Sequence, residues 1–243
     1  IQSHADHEWA QANACTLSTT EFLTTRAVLG KKADVTRIKL LEMLSLIAED
    51  ANTNALEAVF RQEPKLSYSL LRLVNSAANA PRSPITSFTQ AINLLGRRQL
   101  QRWLQLLVYA DPNNGQHPNP LLQKAAARGR LMEILSSHLA PQVGIEQLSD
   151  AAFMVGTFSL LDVLLNMSIG EILQQLTLPD AVNQALSAHS GALGELLRMV
   201  STAESRDYAA TAKQLESQPF DGRTYVDAQL QALDWASKIN PVA

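Results

Sequence analysis

The spacing of the apolar residues constrains this chain most: they recur three and four positions apart and almost never alternate. Between Val35 and Ala48, the residues Ile38, Leu41, Leu44 and Ala48 fall on one helical face. Leu66, Leu70, Leu73, Val74 and Ala77 draw a broader stripe, which predicts a central helix over 66–78. Further apolar faces follow at Ala91, Ile92, Leu94 and Leu95, then at Leu100, Trp103, Leu104 and Leu107. Of these, Leu70, Leu73, Val74, Ile92, Leu95 and Trp103 are expected to share one core. Composition agrees, since 46% of the residues are hydrophobic but only 5% aromatic. Strands favour β-branched and aromatic side chains, so a chain rich in Leu and Ala is expected to be helical. The predicted fold class is all-α, a multi-helix bundle with a C-terminal helical extension.

Local signals divide the chain. Ser18 with Glu21 reads as a capping box. Thr53 can cap a helix through Phe60 that Pro64 terminates, and Pro81 and Pro84 mark a loop. Ser87 is expected to start the next helix, and Gly96 stands where a left-handed C-cap belongs. Residues 111–119 form the strongest loop signal, followed by a helix from Pro120 to about Leu139 that Pro141 stops. Ser149 or Asp150 is expected to open an apolar helix to Leu165, and Ser168 with Glu171 gives another capping box. Pro179 suits a first helical turn, and Gly191 and Gly194 sit at the start of another helix. Thr224 precedes a final helix through Ile239 that Pro241 ends. The expected organisation is an N-terminal segment over 1–32 and a domain over 33–240, with its core at about 33–145 and a C-terminal helical part at about 146–240.

Candidate chemistry is sparse. His4, His7, His117, His138 and His189 are scattered, and none is followed by Asp. His4 and His7 are three apart, but a stable metal site normally needs three or four ligands. No Gly-x-Ser-x-Gly elbow is present, and Gly191-Ala192-Leu193-Gly194 lacks the Lys-Ser/Thr of a phosphate loop. Catalytic, metal and cofactor-binding residues are therefore expected to be none. The single cysteine, Cys15, excludes an internal disulfide and is expected to be half-buried and inert. No uncharged apolar run reaches about 18 residues, so no membrane span is expected.

Charge is distributed unevenly. Residues 61–102 hold seven cationic side chains against the single acid Glu63, a net +6 in a chain totalling −3, so the remainder carries −9. Arg72, Arg82, Arg97, Arg98 and Arg102 are the candidate docking residues for an acidic partner; scattered solvated arginines are the alternative. Few aromatics interleave with them, which argues against a single-strand nucleic-acid platform. Asn75 and Ser76 are polar residues inside the most apolar helix. Asn75 is expected to bond the backbone of the loop around Pro81–Pro84, the alternative being that it lines a ligand pocket.

One stretch resembles a known family. Pro64-x-Leu66-Ser67-x-x-Leu70-Leu71-Arg72-Leu73-x-Asn75-Ser76-Ala77, then Ile85-x-Ser87, then Ala91-Ile92-x-Leu94-Leu95-Gly96, is similar to the signature of HDOD domains. Ser159-Leu160-Leu161-Asp162-x-Leu164-Leu165-x-Met167, Leu178-Pro179, Gly191-x-Leu193-Gly194-x-Leu196-Leu197 and Ala232-x-x-Trp235-Ala236 resemble the C-terminal region of bacterial EAL–HDOD signalling proteins. The resemblance spans roughly residues 33–240.

It implies a cytoplasmic, non-catalytic signal-transduction output or scaffold domain of the kind found in response regulators and cyclic di-GMP signalling. Such a domain binds a protein partner and relays the state of an upstream sensor, receiver or EAL domain of the same chain. Ile1 in place of Met fits a piece of a longer protein. The ancestral chemistry of the family's HD relatives needs a His-Asp pair, and this sequence has none. The rivals are a metal-dependent HD-type phosphohydrolase and, more remotely, a nucleic-acid-binding regulator.

Overall fold

The computed structural model of the chain describes residues 84–109, 120–141, 145 and 147–239, together with positions 6, 9, 10, 12, 13, 15, 70, 71, 74 and 75. Among the described residues there are nine helices and no strand. They are α1 (Phe88–Leu107), α2 (Pro120–Ser136), α3 (Leu148–Phe158), α4 (Leu161–Leu165) and α5 (Ile169–Leu173), then α6 (Asp180–Ala188), α7 (Gly191–Glu204), α8 (Tyr208–Leu215) and α9 (Gly222–Ser237). The fold is all-α, as the apolar spacing predicts. The helices expected before residue 66 and the Ser18–Glu21 capping box lie outside the described residues.

α1 begins as its sequence suggests. The Ser87 hydroxyl accepts from the Gln90 N–H at 3.1 Å, while the Gln90 side chain accepts in return from the Thr86 N–H at 2.8 Å. Gly96 then breaks the helix in two. Its φ of 74° and ψ of 159° lie not in the left-handed helical region of a C-cap but in an extended region open essentially to Gly alone.

α2 is the centre of the described fold. Eleven of its 17 residues are buried, so it is wrapped nearly all round. α3 packs along one side more extensively than any other pair, α9 covers another, and α1 and α7 also reach it. The α2–α3 crossing is close because two glycines meet there. A Cβ on Gly156 would stand 2.7 Å from the Gly129 Cα, and one on Gly129 would stand 2.7 Å from the Thr157 methyl. Tyr109 is buried beside this crossing and donates its hydroxyl to the Thr157 carbonyl. Burial pushes that phenol well above its usual range.

Leu70, Val74 and Trp103 belong to the common core, with Leu95 half-buried against it; the side chains of Leu73 and Ile92 lie outside the description. Trp235 on α9 closes over this region, 6.1 Å from both the Trp103 and the Phe153 rings.

Several boundaries differ from expectation. The apolar helix expected to reach Leu165 ends at Phe158, and α4 starts anew at Leu161. Ser159 stands at this break with its hydroxyl turned back onto the Gly156 carbonyl at 2.7 Å. Neither Ser149 nor Asp150 caps α3; Gln147 occupies the cap position. α2 stops at Ser136 rather than near Leu139. α9 runs from Gly222 to Ser237, so Thr224 lies inside it rather than before it and the helix stops short of Ile239; Asp221 caps it, accepting from the Thr224 N–H at 2.8 Å. Pro179 sits at the cap of α6, one position ahead of the first turn. Cys15 is exposed rather than half-buried. The segment Leu148–Leu165 has the length and apolarity of a membrane-spanning stretch, with a mean hydropathy of 1.6, but 61% of it is buried inside the fold. It is spent on the core and interrupted at Ser159–Leu160.

Candidate functional site

The arginines of the basic segment are only partly free. Arg102 is 18% exposed and reaches Glu133 of α2 at 2.6 Å and Asp150 of α3 at 2.7 Å. Its guanidinium also lies 5.6 Å from the Phe153 ring centre. This side chain braces α1 against α2 and α3, so its charge is consumed inside the fold. Arg98 pairs with Asp150 too, and donates to the Ser149 hydroxyl at 3.2 Å, yet stays 53% exposed. That carboxylate raises the Arg98 pKa above its ordinary value. Arg97 lies in α1, but its side chain is outside the description, as are Arg72, Arg82 and Ser76.

Asn75 is held tightly. Its amide donates to the Leu71 carbonyl and to the Ile85 carbonyl, both at 2.7 Å, and its oxygen accepts from the Ile85 N–H at 2.7 Å. One side chain thus satisfies both backbone groups of a buried residue directly after Pro84.

A polar cluster that sequence reasoning missed lies deeper. Arg128 of α2 is 5% exposed and grips Glu204, the last residue of α7, with two bonds of 2.9 and 2.6 Å. Its remaining nitrogen donates to the Ser159 hydroxyl at 2.7 Å. Lys124, one turn earlier on α2, adds a contact of 2.9 Å to Glu204. Burial pushes the Glu204 carboxyl up, but the Arg128 and Lys124 charges and their hydrogen bonds outweigh it and hold it below the usual carboxylate range. A signal for this cluster is present in the sequence. Leu121, Ala125, Arg128, Met132 and Leu135 share one helical face, and an arginine on a buried apolar stripe requires a partner.

The cluster separates two concavities. On one side is a polar hollow of about 390 Å³ reaching Ser159, Asp162, Ser201 and Arg206. On the other is a mainly apolar cavity of about 350 Å³ between α2 and α9. Among the described residues no group of three or more His, Cys, Asp or Glu side chains is placed to share a metal ion. His138 lies 5.8 Å from the Phe220 ring, and His189 closes α6 with a positive φ. His4, His7 and His117 lie outside the description.

Comparison with known proteins fits this helical architecture. Residues 36–135 match the HDOD domain family. The chain carries an HDOD domain. The match runs from residues outside the description through α1 to Leu135, the last residue but one of α2, so α1, Arg102 and Arg128 belong to it while Asp150 and Glu204 lie beyond it. The chain is 30% identical over 223 residues to the uncharacterized protein YuxH of Bacillus subtilis, covering 90% of this chain and 52% of that protein. It is 32% identical over 184 residues to the cyclic di-GMP phosphodiesterase CdgJ of Vibrio cholerae, covering 76% of this chain and 41% of that one. The chain therefore spans about half the length of the curated relatives it matches. A crystal structure of a proposed phosphohydrolase from Shewanella amazonensis shares the fold, with a TM-score of 0.53 and 15% identity. That likeness covers 86% of this chain and 94% of the other.

Proposed function

We propose that this HDOD chain is a non-catalytic, cytoplasmic module of a signalling protein connected with cyclic di-GMP. In this reading it binds a protein partner and relays the state of another domain of the same protein. The observation that carries it is the identity of the buried polar groups. Where a hydrolase of the HD kind needs a His-Asp pair, the sequence offers none, and among the described residues Arg128, Glu204 and Lys124 form a largely buried cluster of paired charges. The likeness to CdgJ supports the connection with cyclic di-GMP. The basic segment supplies the docking candidates, with Arg98 as the exposed member and Arg72, Arg82 and Arg97 beside it in sequence. Arg102 has a bracing role instead.

The rival is a metal-dependent phosphohydrolase, favoured by the fold shared with the Shewanella protein. Incubating the purified chain with cyclic di-GMP and with p-nitrophenyl phosphate, each with Mg²⁺, Mn²⁺ or Fe²⁺, separates the two. The proposal expects no turnover above the protein-free rate. Metal-dependent hydrolysis abolished by a point substitution in this chain would establish the rival.

A further inference from the structure

The cavity between α2 and α9 has the construction of a small-molecule site. Its volume of about 350 Å³ falls within the ~300–1,000 Å³ typical of ligand pockets. Ala127 and Leu131 of α2 and Leu233 of α9 contribute apolar wall, and Lys124, Glu204 and Tyr225 gather at the polar end. Tyr225 is only 8% exposed, and its hydroxyl has no hydrogen-bond partner among the described residues. A buried phenol in this position ordinarily finds a partner, because an unsatisfied buried hydroxyl carries its full desolvation penalty.

This end carries donors that the fold leaves uncommitted. Glu204 accepts from Arg128 through both oxygens and meets Lys124 through one of them, so its charge is engaged by two cations. The Lys124 ammonium carries three donors and spends one on Glu204. The Tyr225 O–H is uncommitted. The two cations and one carboxylate leave a net +1. Donors and a positive charge at one end, with aliphatic walls beyond, are complementary to an anionic head on an apolar body.

We propose that this cavity binds a small monocarboxylate with an aliphatic or aryl body, its carboxylate accepting from Lys124 and the Tyr225 hydroxyl. This inference stands apart from the signalling reading, since it concerns a cavity and not catalysis or a protein partner. The site joins α2, the central helix, to α9, so an occupant would bridge the HDOD-matched stretch and the C-terminal helices.

Decanoate is a suitable probe, with decanol and decyl phosphate as controls, titrated into the purified chain by calorimetry. The expected result is saturable 1:1 binding of decanoate, with decanol at least about ten-fold weaker, the cost of losing hydrogen bonds to a charged head. Tyr225→Phe should weaken decanoate about ten-fold while leaving the melting temperature unchanged or raised, because it removes an unpartnered buried hydroxyl. Lys124→Gln should weaken decanoate but not decanol. Equal binding of decanol and decanoate, or no saturable binding of either, would overturn the proposal. Tighter binding of decyl phosphate than of decanoate would replace the carboxylate by a phosphate and overturn that assignment.

Discussion

Asn75 shows what a single polar residue on an apolar stripe can do. An amide next to the fully buried Val74 needs partners, and the chain after Pro84 supplies them at Ile85. Asn75→Ala would leave the N–H and C=O of a nearly inaccessible residue unpaired. The expected loss is about 2–4 kcal/mol, from the penalty for unsatisfied buried groups, read as a shift in the urea midpoint. A loss below about 0.5 kcal/mol would mean that water replaces the amide. Glu204 is a second case, with a pH signature. Its folded-state pKa is depressed, so its stabilising contribution is present above the unfolded value and lost as pH falls through the folded one. Glu204→Gln should therefore cost about 3 kcal/mol at pH 7 by stranding Arg128. The gap to the wild-type protein should close progressively below about pH 4.3, the ordinary range of Glu. A pH-independent gap would assign the effect to packing alone. Asn75 stood out in the sequence because it stands directly beside the apolar stripe of Leu70, Leu73, Val74 and Ala77. Arg128 was legible in principle from its place on the face of Leu121, Ala125, Met132 and Leu135, but its partner lies 76 residues away, beyond any local pattern.

At the scale of elements, what is local was readable and what is tertiary was not. The Ser168–Glu171 capping box forms in full, because both halves of the signal lie within one turn. Asp150 carries the chemistry of a cap, yet its carboxylate is claimed by Arg98 and Arg102 from a different helix. The break at Ser159 is likewise tied to a distant side chain, since Arg128 bonds its hydroxyl. The glycines separate into two kinds that sequence alone does not distinguish. Gly156→Ala would press a methyl group to within 2.7 Å of the Gly129 backbone, which cannot move aside as a side chain would. It should cost at least about 2–3 kcal/mol, the range for overpacking a rigid site. Gly170, exposed on α5, has no atom of the described residues within 4 Å of an added Cβ. Gly170→Ala should instead stabilise by about 0.5–1 kcal/mol, through lower backbone entropy in the unfolded chain. Opposite signs in parallel thermal melts are the expected outcome, and two equal losses would show that α2 and α3 do not meet as closely as described.

For the whole molecule, the uneven charge acquires a different meaning once folded. Residues 61–102 total +6, which by itself suggests one exposed basic surface. The fold turns part of that charge inward. Arg102 meets two carboxylates from α2 and α3, residues about which nothing near position 102 gives notice. Its neighbour Arg98, one helical turn away, shares Asp150 but remains half in water. The two arginines should therefore differ in what they contribute to stability. Arg102→Met keeps an apolar stem over Phe153 while removing the cation, leaving Asp150 to Arg98 alone and Glu133 to Arg130 alone. The expected cost is about 2–3 kcal/mol, below the ~3–5 kcal/mol of a wholly stranded buried charge, because each carboxylate keeps one cation while staying mostly out of solvent. Arg98→Met should cost less than about 1 kcal/mol, the usual worth of an exposed pair. Salt discriminates further. Raising NaCl from 0.05 to 0.5 M should erase the Arg98 difference, since water-exposed charges are screened, and should leave most of the Arg102 difference in place. Urea unfolding of both variants at the two salt concentrations measures all four values. Equal costs would mean that Arg102 is as solvated as Arg98. The basic segment would then regain its full charge as a docking surface.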